Sequence, residues 1–212
     1  MIRSPLLVLL PILLAAAGQE KVRVACVGDS ITFGACVADR EKNCYPAVLG
    51  ELLGEKYDVR NFGVNGATLL KKGDLPWWNQ QAYSDATSFN PAIVVIKLGS
   101  NDTKPQNWKN KADFEGDYRA LIRHFRELLA KPRIFVALPV PVLKPNFGIN
   151  KESAAEQQPI LLRVAKEEGC PVIDLYAAVG TKDLFDADGI HPNAAGARKI
   201  AETVSLALRG KK

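Results

Sequence analysis

Histidine is nearly absent from this 212-residue chain. Only His124 and His191 occur, so any mechanism that needs an imidazole must choose between them. The four cysteines, Cys26, Cys36, Cys44 and Cys170, form no Cys-x-x-Cys spacing. With so few histidines, no zinc-ligand pattern emerges and no metal is expected. Basic residues nowhere form a stripe interleaved with aromatics. The formal charge is +5, spread along the chain and dense only at Arg209, Lys211 and Lys212, so a nucleic-acid partner is not expected. No segment beyond residue 17 is apolar for long enough to span a bilayer. Gly-x-Ser-x-Gly, the nucleophile elbow of α/β-hydrolases, is missing as well.

What is present begins with a regional signal. Arg3 precedes an apolar run over residues 5–17 that closes on Ala15-Ala16-Ala17. That pattern predicts a secretory signal peptide over residues 1–17, cleaved before Gly18. The remainder, residues 18–212, then acts as one domain in a secreted or periplasmic setting, without stable membrane insertion. An uncleaved anchor is the alternative. An apolar fraction of 47% and a charged fraction of 24% suit an ordinary globular domain. Export permits disulfides. Cys36 and Cys44 flank a polar loop and are a candidate pair, but spacing alone fits two free thiols equally well.

Short runs rich in Val and Ile alternate with helical patterns. Strands are expected at residues 22–27, 57–62, 92–98, 133–138 and 171–175. Several are continuously apolar, as strands covered on both faces should be. Helices are expected at 45–53, 112–130, 151–168 and 193–208. In the second, Phe114, Tyr118, Leu121, Ile122, Phe125, Leu128 and Leu129 share one stripe. The alternation implies right-handed βαβ units, a parallel sheet and a three-layer α/β/α sandwich. Ligands of such sheets bind beyond the carboxyl ends of the strands, which singles out the loops after each one.

Those loops carry the chemistry. His191 lies in Asp188-Gly189-Ile190-His191-Pro192. A tight turn there would bring the carboxylate to one ring nitrogen and leave the other free to take a proton. His124, between Arg123 and Phe125 on a long helix, reads as structural or surface. Ser30 follows Gly28-Asp29 at the mouth of the first strand. It serves equally well as a nucleophile or as a helix cap. The loop Gly63 to Thr68 and the segment Gly99-Ser100-Asn101-Asp102 offer backbone and side-chain N–H groups that could converge on an oxyanion.

Taken together, Gly-Asp-Ser-Ile-Thr, Gly-Val-Asn-Gly-Ala-Thr, Gly-Ser-Asn-Asp and Asp-Gly-Ile-His resemble, in order, the four blocks of the SGNH/GDSL hydrolase family. The resemblance implies a flavodoxin-like, five-stranded parallel sheet of order 2-1-3-4-5. It implies Ser30, Asp188 and His191 as a catalytic triad, and the Ser30 and Gly66 amides with the Asn101 side chain as an oxyanion hole. It implies no cofactor. The chain is also similar to exported members that act as sialate or carbohydrate O-acetylesterases. Short connections between the blocks favour a small acyl group, so the expected substrate is a small-molecule or glycan ester, above all an O-acetylated sugar. Trp77, Trp78 and Trp108 are candidate sugar-stacking residues, or else core residues beneath loops. A lysophospholipase or thioesterase of the same fold, and a silent carbohydrate-binding module, are the competing readings.

Overall fold

The computed structural model describes residues 20–210; the expected signal peptide, residues 1–17, lies outside the described residues. Five parallel strands form one sheet: β1 (Val22–Gly28), β2 (Tyr57–Gly63), β3 (Ile93–Lys97), β4 (Arg133–Ala137) and β5 (Val172–Ile173). Their spatial order is 2-1-3-4-5, and every neighbouring pair is parallel. This is the expected doubly wound α/β architecture.

Alternation along each strand explains why the central strands read as unbroken apolar runs. Ala25, Val27, Val94, Ile96, Ile134 and Val136 face one core. Val24, Cys26, Ile93, Val95, Phe135 and Ala137 face the other. The first core is closed by helices Gln81–Phe89, Phe114–Arg126 and Lys151–Glu167, the second by Tyr45–Leu53 and Ala194–Arg209. Both faces of the sheet are thus dry, and the polar chemistry is left to the strand ends.

Three elements differ from expectation. The long amphipathic helix stops at Arg126. Leu128 still packs on the core, but Leu129 is 92% exposed; the chain has already turned toward β4 through Lys131, whose φ is +46°. Strand β5 is only two residues long, because Asp174 accepts a bond from the Ala177 amide at 2.9 Å and starts a helical turn instead. Helix Gln81–Phe89 carried no clear apolar stripe in the sequence and buries only Ala86 and Phe89. No helix among the described residues is long and apolar enough to cross a membrane.

Candidate active site

The carboxyl ends of β1, β2 and β3 bring three loops together, and the loop before helix Ala194–Arg209 joins them. Ser30 begins a single helical turn, Ser30–Phe33, directly after β1. Asp29 caps that turn, with Oδ1 accepting from the Ile31 amide at 3.0 Å. The cap therefore belongs to Asp29, and the Ser30 hydroxyl is left for another partner. That partner is His191: Ser30 Oγ lies 2.9 Å from Nε2. The other ring nitrogen, Nδ1, lies 2.6 Å from Asp188 Oδ2. Asp188 Oδ1 accepts from the backbone amides of Ile190 and His191 at 2.8 and 2.9 Å, so the tight turn anticipated from the Asp-x-x-His spacing is present. Burial tends to raise the Asp188 pKa. The bonds from His191 and from these two amides outweigh it, and the carboxyl is held below its ordinary value.

The N–H groups named from the sequence lie in the loops beside Ser30. Gly66 has a φ of +80°, a left-handed conformation that side chains disfavour. Among the described residues, neither the Ser30 nor the Gly66 amide has an acceptor. Asn101, only 4% exposed, gives one Nδ2 proton to Ala67 O at 3.1 Å and keeps the second. The loops are fixed to each other by Asp102, which accepts from the Leu69 and Leu70 amides at 3.0 and 2.7 Å. Asp102 is fully buried, and burial pushes its pKa up to about 7 despite those two bonds.

Beneath the serine lies a feature that sequence reasoning missed. Lys97 ends the apolar run of β3 but is 1% exposed. Its ammonium reaches Asp29 Oδ1 and Oδ2 at 3.1 and 3.0 Å and Ser100 Oγ at 2.8 Å. Asp29 is itself fully buried, so this ion pair ties the end of β3 to the residue before Ser30. A single lysine inside an otherwise apolar run was the available signal.

The tryptophan expectation needs correction. Trp77 is fully buried and donates from Nε1 to Phe62 O at 3.0 Å. Trp78 is half-buried, donating to Leu69 O at 2.7 Å, while Trp108 is 7% exposed and donates to Glu156 at 3.0 Å. Trp77 and Trp108 fill space beneath loops and present no open face for a sugar, whereas Trp78 stays partly exposed with Lys71 Nζ 4.3 Å from its ring centroid. The disulfide candidate is corrected too. Cys36 and Cys44 are free thiols, because Cys44 is turned inward beneath Asn61 Nδ2, 3.6 Å away, while Cys36 is exposed with its sulfur 3.9 Å from Asp188 Oδ2. Burial and the nearby carboxylates of Asp188 and Asp186 push the Cys36 thiol up from its ordinary value. Among the described residues, Cys36, Asp188 and His191 are the one group whose metal-ligating atoms lie within 4.8 Å of one another. Two of those atoms, His191 Nδ1 and Asp188 Oδ2, already bind each other. His124 sits away from this cluster, bonded to Tyr83 Oη at 3.1 Å and Thr87 Oγ1 at 2.8 Å, its pKa lowered by burial. Two surface clefts, of 430 and 660 Å³, open around Leu143 and Gly180; neither is lined by Ser30 or His191.

Comparison with known proteins adds to this geometry. The profile of the GDSL-like lipase/acylhydrolase family matches residues 26–199. An acetylxylan esterase from Xylanibacter ruminicola is 40% identical over 213 aligned positions, which cover 92% of this chain and 44% of that protein. The chain thus spans less than half the length of this curated relative. Among solved structures, Est24, a carbohydrate acetylesterase from Sinorhizobium meliloti, superposes with a TM-score of 0.76 at 19% identity, covering 89% of this chain and 99% of its own. The aryl esterase of M. smegmatis gives 0.74 at 21% identity, covering 88% and 98%. At such identities the two structures share the fold.

Proposed function

The chain belongs to the GDSL-like lipase/acylhydrolase family, and from that premise we propose that it is a serine esterase that removes acetyl groups from O-acetylated carbohydrates. The reading rests above all on the continuous relay Ser30 Oγ–His191–Asp188, with spacings of 2.9 and 2.6 Å. Asp188 holds the Nδ1–H tautomer, so Nε2 is the base that faces the hydroxyl. As Ser30 Oγ attacks the ester carbonyl, Nε2 takes its proton. The carbonyl oxygen becomes an anion beside the Ser30 and Gly66 amides and the second Asn101 proton. His191 then protonates the departing alcohol oxygen, and the acyl group stays on Ser30. Water, deprotonated by the same nitrogen, releases the acid and restores the serine. Every proton in this cycle moves between protein groups, substrate and water.

The acetyl preference is supported by the short connections between the four sequence blocks, which leave little chain for a long acyl tunnel. The carbohydrate preference is supported by the acetylxylan esterase relative. The apolar run over residues 5–17 supports action outside the cytoplasm. The test is a panel of p-nitrophenyl esters from acetyl to palmitoyl together with acetylated xylan, run on wild type and Ser30→Ala. Acetyl esters should lead, and Ser30→Ala should lower kcat by at least about 10⁴-fold. Faster cleavage of long-chain esters, or an undiminished Ser30→Ala enzyme, would refute the proposal.

A further inference from the structure

With Trp77 and Trp108 buried and Trp78 half-buried, the aromatic exposed beside His191 is one that the sequence did not single out. Phe147 is 59% exposed, and its ring centroid lies 5.9 Å from that of His191. Its φ is +52°, a left-handed conformation that a bulky residue avoids unless its surroundings impose it. Here they do. Asn146 Oδ1 accepts from the Phe147 amide at 2.9 Å, and Asn146 and Ile149 exchange backbone bonds at 3.2 and 2.8 Å, forming a tight loop with Phe147 at its tip.

The loop is anchored to both halves of the chemistry. Asn146 Nδ2 donates to Asp188 O at 3.3 Å, and the Leu143 amide donates to Gly189 O at 3.0 Å. On the other side, Asn150 Nδ2 donates to Thr103 O at 2.9 Å, two residues beyond Asn101. Phe147 is therefore held out at a fixed place between the acid–base loop and the oxyanion loop, without a core to fill.

We propose that Phe147 is the stacking platform for the alcohol half of the substrate, and that this half is a pyranose ring. This inference rests on the esterase reading given above. In that mechanism His191 Nε2 returns its proton to the leaving alcohol, so the group beside the imidazole is the alcohol, while the acyl oxygen lies toward Gly66 and Asn101. A pyranose offers a flat C–H face to an aromatic ring and a rim of hydroxyls to the polar side chains around it. The Asn146 and Asn150 side chains are engaged in holding the loop, so the exposed ring face of Phe147 is what the loop offers to a substrate.

The experiment compares three acetates that differ only in the alcohol: an O-acetylated methyl xylopyranoside, phenyl acetate and ethyl acetate. Phe147→Gly is the informative variant, because glycine tolerates the left-handed backbone and the fold should keep its melting temperature. For Phe147→Gly, kcat/KM on the sugar acetate should fall about tenfold relative to ethyl acetate, chiefly through KM, and Phe147→Trp should restore most of it. An unchanged ratio would overturn the proposal, as would a loss confined to phenyl acetate, which marks an aryl platform. An equal loss on all three esters would overturn it too, by assigning the ring to support of His191. A wild type inert toward all three would remove the esterase premise and the platform together, an outcome distinct from the others because it appears before any substitution.

Discussion

Replacing Lys97 by methionine should be among the most damaging single changes outside the reacting groups. Methionine keeps much of the apolar stem and deletes the ammonium. In the structure that ammonium spends all its protons within the protein, on two Asp29 oxygens at 3.1 and 3.0 Å and on Ser100 Oγ at 2.8 Å. Neither partner of the ion pair is more than 1% exposed. Without Lys97, Asp29 keeps only the Ile31 amide as a donor and is left as a buried, unpaired charge. Such losses cost about 3–5 kcal/mol, a large share of a typical stability of about 5–15 kcal/mol. The control is Asp29→Asn combined with Lys97→Met. A neutral amide can still cap the Ser30–Phe33 turn and needs no counter-charge, so the pair should recover at least about 2 kcal/mol of the single-variant loss. Urea unfolding followed by tryptophan fluorescence, with Trp77 fully buried as a probe, measures each variant. A Lys97→Met protein within about 1 kcal/mol of wild type, or a double variant with simply additive losses, would refute the reasoning.

Further outcomes follow from the same geometry. Asp188→Asn should keep the fold and lower kcat by about 10³–10⁴-fold, because an amide no longer enforces the Nδ1–H tautomer; steady-state kinetics on p-nitrophenyl acetate reads this. Asn101→Ala should lower kcat by about 10²–10³-fold with little change in KM, through loss of one proposed oxyanion donor. Gly63→Ala should destabilise the protein by more than about 2 kcal/mol, since a Cβ there would lie 2.2 Å from the Phe33 amide nitrogen and 2.7 Å from the Thr32 carbonyl carbon; thermal unfolding checks it. Asp102 binds its proton more tightly when folded, with a pKa raised from 3.8 to about 7. Its contribution to stability is therefore fully present below its unfolded pKa and is lost as pH rises through about 7. Wild-type stability should accordingly decline toward neutrality relative to Asp102→Asn, and parallel urea titrations from acid to neutral pH would expose a missing decline.

The sheet was legible because its central strands are buried on both faces, which the sequence shows as uninterrupted runs such as Ile93-Val94-Val95-Ile96. The runs of β1, β2 and β3 end at the loops that hold Ser30, Gly66 and Asn101, so these candidates were singled out by position as much as by type. Ser30 had two readings until the structure gave the capping role to Asp29. What stayed hidden depends on distant partners. Lys97 meets Asp29 across 68 positions, and Asp102 meets Leu69 across 33; a lone lysine in an apolar run marks the first residue but no local pattern names the partner of either. The tryptophans misled because indole reads as a sugar platform or a core filler according to burial alone, and Phe147 was passed over because its exposure is a property of a folded loop.

The separation between Ser30 and His191 is 161 positions, and it sets when this chemistry can begin. A nascent polypeptide carries the proposed nucleophile almost from its first strand, yet lacks a base until the segment before helix Ala194–Arg209 has emerged and docked. Under the proposed mechanism, fragments ending short of Asp188 would be inert, so turnover of a chromogenic acetate would report the docking of that segment. It would equally report the reunion of two separately expressed halves divided at a surface loop.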